Sequence, residues 1–147
     1  LGREYVAEYT ESIRGGLFGF ADSLDNYGRS VRDTLYNAQK KVIRDIADRE
    51  NCVIIGRCSD YILRDYDNVL TVFVHAAKEK RMQRLIEQYG IGPENAKQAM
   101  KDRDKKRKSY YQFFTARKWG EKDNYDITLN SGKLGIERSV KALVSLY

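Results

Sequence analysis

Arg57 is the residue whose type and position most directly suggest chemistry with an anion. It follows Gly56, which ends the short apolar run at residues 52–55. Glycine lets a backbone approach a ligand closely, and a guanidinium offers a planar fork that matches phosphate oxygens. The competing interpretation is an ion pair with a nearby acid such as Asp60. The position of Arg57 alone leaves both interpretations open.

A second candidate is the cationic stretch at residues 101–111. On a helix, Arg103 and Arg107 share a face, and Asp104 lies beside Arg107 at i,i+3. Cations on a mobile element could close over a polyphosphate and neutralise charge in the transition state. A solvated helix face and a nucleic-acid surface are the alternatives, the second because aromatic residues interleave with the cations. These are Tyr110, Tyr111, Phe113, Phe114 and Trp119.

Histidine and cysteine give little sign of a metal or nucleophile site. His75 is the only histidine, and Cys52 and Cys58 are the only cysteines. No Ser, Cys or carboxylate group accompanies His75, so a structural hydrogen bond is favoured over a catalytic base. The cysteines lack metal-ligand spacing, and the sequence predicts buried or idle reduced thiols and no metal site.

The elements that would position these residues follow an α/β order. Apolar, β-branched runs predict strands at residues 52–56, 69–74 and 125–130. Helices are predicted from a Thr34 cap, across residues 76–86, and from Pro93 towards residue 111. A last amphipathic helix is predicted with Ile136, Val140, Leu143 and Val144 on one side. This order is typical of helices that cover a mostly parallel sheet.

Ligands of open α/β sheets bind beyond the carboxyl ends of the strands. That rule points to Arg57 after the first strand, to His75 after the second, and to Asn130 and Ser131 after the third.

Composition is that of one ordinary globular domain. The chain has 147 residues, of which 41% are hydrophobic and 33% charged, so it is too apolar for disorder. It contains no run of the roughly 20 apolar residues that a membrane-spanning helix needs. No secretory signal pattern is visible, which predicts a cytoplasmic protein without a membrane partner. The net charge of +6 suits an anionic partner.

Several segments, taken in order, resemble the cytidylate kinase-like family. Residues 52–63, with Gly56-Arg57 after the strand, resemble that family's strand and Gly-Arg segment. Residues 73–76, followed by Arg81 and Arg84, are similar to its next strand and helix. Residues 104–111, then Trp119-Gly120, then residues 125–130, are similar to its lid and last strand. The resemblance runs from about Thr34 to the C-terminus.

The resemblance implies a P-loop nucleoside monophosphate kinase fold over residues 1–147 as a single domain. That fold is a three-layer parallel sheet flanked by helices, with a helical lid at about residues 101–122. The implied reaction transfers the γ-phosphoryl group of ATP, with Mg²⁺, to a cytidylate-like nucleoside monophosphate. A nucleic acid is not expected as the partner.

The implied roles map onto single residues. Arg57 and Asp60 would bind the acceptor, and Arg103 and Arg107 would be catalytic lid arginines that Asp104 supports. Asn130 and Ser131 would lie near the ATP base.

One position departs from the family pattern. True cytidylate kinases follow Gly-Arg with Asp, whereas here Cys58 follows and Asp60 comes later. The resemblance therefore does not fix the identity of the acceptor's base.

The phosphate-binding loop is missing from this pattern. The sequence has no Gly-x-x-x-x-Gly-Lys-[Ser/Thr] run; residues 3–5 faintly resemble the family's opening, and Gly15-Gly16 has no following Lys. We expect the loop in residues that this sequence does not include. The alternatives are a non-catalytic nucleotide- or nucleic-acid-binding module without a P-loop and a P-loop kinase for another small metabolite.

Overall fold

The computed structural model describes residues 30–146, without the Val31 side chain. The chain divides into two compact units, Leu1–Ile54 and Ile55–Tyr147. Each unit is described by itself. The expectations placed on residues 3–5 and on Gly15-Gly16 lie outside the described residues.

The described part of the first unit is dominated by one helix, α1, at Val31–Arg49. The Ser30 hydroxyl caps its first turn by accepting a hydrogen bond from the Asp33 N–H at 3.4 Å. The prediction of a Thr34 cap is therefore wrong by one turn, because Ser30 offers the same oxygen earlier. Ile43 is buried, as the helical spacing predicted.

The predicted strand at residues 52–56 does not form. Residues 51–55 are irregular, and the Val53 and Ile55 side chains are 92% and 88% exposed. A strand persists only where its N–H and C=O groups pair with a neighbour, and no described residue pairs with this run. The apolar composition favours a strand, but the pairing that stabilises a strand is not present among residues 30–146, so the prediction is wrong for the described structure.

The second unit is built on two parallel strands, β1 at Val72–His75 and β2 at Ile127–Asn130. The register pairs Val72 with Ile127 and His75 with Asn130, so both carboxyl ends lie at the same edge. This confirms the predicted strands, although each begins two or three residues later than expected. The described residues form a mixed α/β structure with a two-stranded parallel sheet. The three-layer kinase arrangement remains a prediction.

A side-chain clamp starts the sheet. The Thr71 N–H and hydroxyl donate to the same Asp126 carboxylate oxygen at 2.7 and 2.6 Å. The Asp126 N–H in turn donates to the Thr71 hydroxyl at 2.9 Å. These hydrogen bonds hold the pKa of Asp126 below its usual value. The clamp fixes the register immediately before the first strand pair.

The described part of the second unit also contains five helices. Their bounds are α2 Ser59–Ile62, α3 Lys78–Tyr89, α4 Pro93–Thr115, α5 Ser131–Leu134 and α6 Ile136–Val144, with a 3-10 turn at Lys122–Asn124. The predicted helices at residues 76–86 and from Pro93 to residue 111 are confirmed. Gly90 ends α3 with a φ of 64°, a left-handed conformation that glycine adopts without strain.

α3 and α4 form a helical hairpin whose contact is apolar at its closed end. Leu85 of α3 is buried, as are Ala96 and Met100 of α4. Proline at the first position of α4 needs no N–H partner there, which suits the start of a helix. The cationic second half of α4 lies away from this closed end.

The predicted last helix forms, but most of its apolar side is exposed. Ser139 of α6 is buried and donates a 2.6 Å hydrogen bond to the Gly135 carbonyl, whereas Ile136, Val140 and Val144 are exposed. Spacing correctly placed these apolar residues on one face, but spacing does not specify which element covers it. In the described part of the chain, no helix is long and apolar enough to cross a membrane.

Candidate functional site

Arg57 lies in a strained turn. Gly56, Arg57 and Cys58 have φ values of 71°, 57° and 56°, so three successive residues adopt the left-handed conformation. For a residue with a side chain this conformation costs about 1–3 kcal/mol and concentrates at functional sites. The turn leads directly into α2, which begins at Ser59.

The guanidinium of Arg57 makes no hydrogen bond or ion pair with any other residue in the range 30–146. The predicted competing interpretation, an ion pair with Asp60, is therefore not observed. A cation held on a strained backbone without an internal partner is suited to bind an external anion.

Asp60 has a different partner. Its carboxylate accepts a 2.6 Å hydrogen bond from the Tyr111 hydroxyl, which joins α2 to α4. Burial, together with this carboxylate, raises the pKa of Tyr111 well above its usual value. Tyr125 lies close enough to interact with both groups, and burial raises its pKa too. Of the predicted acceptor-binding pair, the structure gives Arg57 no internal partner and makes Asp60 part of this network.

Cys58 is buried beside the same network. Burial and the nearby Asp60 carboxylate raise the pKa of its thiol to about 12. This agrees with the prediction of an idle reduced thiol. Cys52, in contrast, is exposed.

Asp104 joins the two helices of the hairpin. Arg81 of α3 donates to both of its carboxylate oxygens, at 2.9 and 2.5 Å. Arg107 lies 3.7 Å from the same carboxylate and is more than half exposed. The sequence correctly placed Asp104 beside Arg107, but it missed Arg81, whose closer, bidentate contact depends on how α3 and α4 pack.

Arg103 and Arg107 differ in their surroundings. The Arg103 guanidinium lies over the Tyr89 ring at 5.4 Å, where α3 ends. Arg107 is held near Asp104. Residues 101–122, the predicted lid, comprise the second half of α4 and the loop that leads to the 3-10 turn at Lys122–Asn124. Their action as a lid stays a prediction.

The carboxyl ends of β1 and β2 carry the predicted ATP-base residues. The Asn130 side-chain oxygen accepts a 3.1 Å hydrogen bond from the Lys133 N–H and so caps α5. Ser131 donates to the His75 carbonyl at 3.2 Å. A Cβ on Gly132 would lie 2.7 Å from the Ala76 Cβ, so only glycine allows this close approach of the two strand ends. The Asn130 amide nitrogen has no partner within residues 30–146.

Aromatic residues near the site pack against one another. Phe73 of β1 contacts Trp119 edge-on at 5.2 Å and Tyr125 at 5.0 Å between ring centroids. Gly120 has a φ of 76°, and a Cβ there would lie 2.9 Å from the Phe73 ring. These contacts explain the Trp119-Gly120 pair as packing on the sheet, which weakens the prediction of a base-stacking surface for nucleic acid.

No metal centre is visible in the described range: residues 30–146 contain no group of three or more His, Cys, Asp or Glu side chains able to hold an ion.

Comparison with known proteins gives a family and shows similarity to solved structures. The model of the cytidylate kinase-like family matches residues 1–133, which extends the predicted match to residues before Thr34 and ends it before α6. A crystal structure of an uncharacterized protein from Eubacterium ventriosum ATCC 27560 is 30% identical, with a TM-score of 0.74. That likeness covers 79% of this chain and 73% of the other. No curated protein matches the chain.

Proposed function

This chain belongs to the cytidylate kinase-like family, and from that premise we propose that it is an ATP-dependent phosphotransferase acting on a cytidylate-like nucleoside monophosphate. The observation that carries the proposal is the guanidinium of Arg57, which has no internal partner in the described range and sits on a left-handed turn. Through Asp60 and Tyr111, that turn is tied to the helix that carries Arg103 and Arg107.

Arg57 binds the phosphate of the acceptor in this proposal. Its planar fork can donate two parallel hydrogen bonds to one phosphate group, which fixes orientation as well as charge. Asp60 supports the turn through its hydrogen bond with Tyr111. Cys58 replaces the Asp that follows Gly-Arg in true cytidylate kinases and is buried. The acceptor class is therefore a nucleoside monophosphate whose base is recognised by other groups.

Arg103 and Arg107 act on the phosphoryl group that is transferred. An oxygen of the acceptor phosphate attacks the γ-phosphorus of ATP, and a new P–O bond forms. The bond from that phosphorus to the β,γ-bridging oxygen breaks, and ADP leaves with the electron pair. Guanidinium groups neutralise the negative charge of this transition state, so no side chain needs to form a covalent intermediate. Asp104 supports Arg107 by its contact at 3.7 Å.

The described residues offer a group that suits the base of ATP but no acidic cluster that suits Mg²⁺. Asn130 fits the base of a nucleotide, because its amide nitrogen is unpartnered there and can donate, and Ser131 lies beside it. Mg²⁺ prefers several carboxylate and phosphate oxygens, and residues 30–146 supply no acidic cluster for it.

A steady-state assay tests the proposal. ATP is incubated with the full chain and each of the common nucleoside monophosphates, and ADP release is followed. We expect ADP formation that depends on a pyrimidine monophosphate. Arg57→Ala should raise the acceptor KM or abolish turnover while the circular dichroism spectrum is retained.

Arg138→Ala is the matched control, because Arg138 is an exposed arginine on α6. It should leave the rate unchanged. Absence of ADP formation with every monophosphate would overturn the proposed reaction, and equal activity of Arg57→Ala and the natural chain would remove Arg57 from the site.

A further inference from the structure

The ring of Tyr61 gathers two arginines from separate segments. The Arg64 guanidinium carbon lies 4.3 Å from the ring centroid, and that of Arg117 lies 5.1 Å away. Arg64 directly follows α2, whereas Arg117 is in the loop after α4. Both distances are within the range of a cation–π contact, so one aromatic ring attracts two positive charges.

The two positive charges have little internal neutralisation. Arg64 has one acidic neighbour, Asp65, at 3.5 Å, and that carboxylate is mostly exposed and screened by solvent. Arg117 has no acidic partner among residues 30–146. One Arg64 nitrogen donates to the Tyr61 carbonyl at 2.8 Å. Since each guanidinium carries five N–H donors, most donors of this pair are available to a ligand.

The backbone of Arg117 is fixed by the end of α4. Thr115 is buried, and its hydroxyl donates to the Tyr111 carbonyl at 2.6 Å. The same hydroxyl oxygen accepts the Arg117 N–H at 3.1 Å. Between them, Ala116 has a φ of 56°, a left-handed conformation that is unfavourable for a residue with a Cβ. The chain thus maintains a strained residue whose effect is to turn Arg117 back towards Tyr61.

We propose that Arg64 and Arg117, held on the Tyr61 ring, form a binding site for a phosphate-type oxyanion. Two guanidinium forks match the oxygens of a phosphate group and donate charge-assisted hydrogen bonds to it. The residues of this site are distinct from Arg57, Arg103 and Arg107, and the inference stands whether or not the chain is a kinase.

Inorganic phosphate is the probe, and the guanidinium N–H signals of the ¹⁵N-labelled full chain are followed by NMR without nucleotide. Chloride keeps the ionic strength constant. We expect the Arg64 and Arg117 signals to shift together and to saturate with one Kd. Arg117→Gln, read at the Arg64 signal, should weaken that Kd about tenfold or more, the loss expected for one charge-assisted contact.

Lys118→Gln is the matched control, because it removes one charge from the same loop but only an exposed ion pair with Glu121. Its effect on the phosphate Kd should stay below about twofold. Tyr61→Phe keeps the ring and should retain binding, whereas Tyr61→Leu should weaken it. Equal effects of Arg117→Gln and Lys118→Gln, or signals that do not saturate, would overturn the site. A chain inactive as a kinase could still pass this test, so the two proposals fail separately.

Discussion

The Tyr111 hydroxyl is hydrogen-bonded to the Asp60 carboxylate at 2.6 Å across 51 residues of sequence. The bond fastens the second half of α4 to the short helix that follows the Arg57 turn. Both side chains are largely withdrawn from water, so the carboxylate depends on this donor. The proposed acceptor residue and the proposed lid arginines are thereby parts of one connected framework.

Tyr111→Phe tests this connection by removing only the hydroxyl. The Asp60 carboxylate then loses its donor, and we expect the free energy of unfolding to fall by about 1.5–3 kcal/mol, the range for hydrogen bonds to charged groups. Urea denaturation with linear extrapolation measures the change.

Tyr89→Phe is the control for that loss. Tyr89 is exposed, and its ring, which contacts Arg103, is retained. Its effect should stay within about 0.5 kcal/mol, as for surface substitutions generally. A Tyr111→Phe variant as stable as Tyr89→Phe would show that the hydrogen bond contributes nothing to the framework.

Arg107→Gln tests the role of α4 in phosphoryl transfer. Loss of one positive group that acts on transition-state charge should lower kcat by about 10²-fold or more, with a smaller change in the acceptor KM. Lys105→Gln, an exposed cation on the same helix, should leave kcat nearly unchanged. If both variants kept full activity, the assignment of Arg107 would be wrong.

Arg81→Met tests the ion pair between Arg81 of α3 and Asp104 of α4. It removes both short contacts to Asp104 and leaves that carboxylate with Arg107 at 3.7 Å. We expect a loss of about 1.5–3 kcal/mol in unfolding free energy. Arg84→Met, at an exposed arginine of the same helix, should change stability far less. Similar losses in the two variants would mean that the Arg81–Asp104 ion pair is not a specific stabilising interaction.

The raised pKa of the Cys58 thiol predicts that the free energy of unfolding falls at alkaline pH. Its thiol has a pKa of about 12 in the folded chain, against an ordinary value of 9.0. Above about pH 9 the unfolded chain releases this proton while the folded chain keeps it, so stability is full below pH 9 and falls as pH rises. The slope approaches about −1.4 kcal/mol per pH unit for one proton.

Urea denaturation between about pH 8 and pH 11 measures that slope. Cys58→Ala should flatten the decline near pH 9–10, before Tyr111, whose pKa is also raised, contributes above pH 10. Cys52→Ala, at the exposed cysteine, should leave the curve unchanged. An unaltered slope in Cys58→Ala would contradict the burial of this thiol.

The sequence predicted elements better than it predicted their partners. The parallel strands and the α3–α4 hairpin followed from local periodicity, which depends on nearby residues alone. The run around Val53 reads equally well as a strand, yet it remains irregular because pairing is supplied by residues far along the chain. For the same reason, periodicity identified the apolar face of α6 but not what covers it.

Side-chain partners in the candidate site show the same limit. Asp104 beside Arg107 was predictable, since helical spacing fixes residues that are three apart. Arg81 with Asp104 and Tyr111 with Asp60 were not, because each pair joins two elements whose packing no local pattern specifies. The aromatic residues near the cations indicated an interaction surface, but the structure packs Trp119 on Phe73 of the sheet and hydrogen-bonds Tyr111 to Asp60.

The length of α4 determines how far its residues would move in a rotation about the Tyr111–Asp60 hydrogen bond. Its 23 residues make a rod of about 35 Å. A rotation of about 10° around Tyr111 would move Pro93, about 27 Å along the axis, by about 5 Å, but Arg107, about 6 Å away, by about 1 Å. Any such rotation would therefore displace the α3–α4 connection much farther than the Arg107 guanidinium, whose position depends mainly on the nearby Tyr111–Asp60 hydrogen bond.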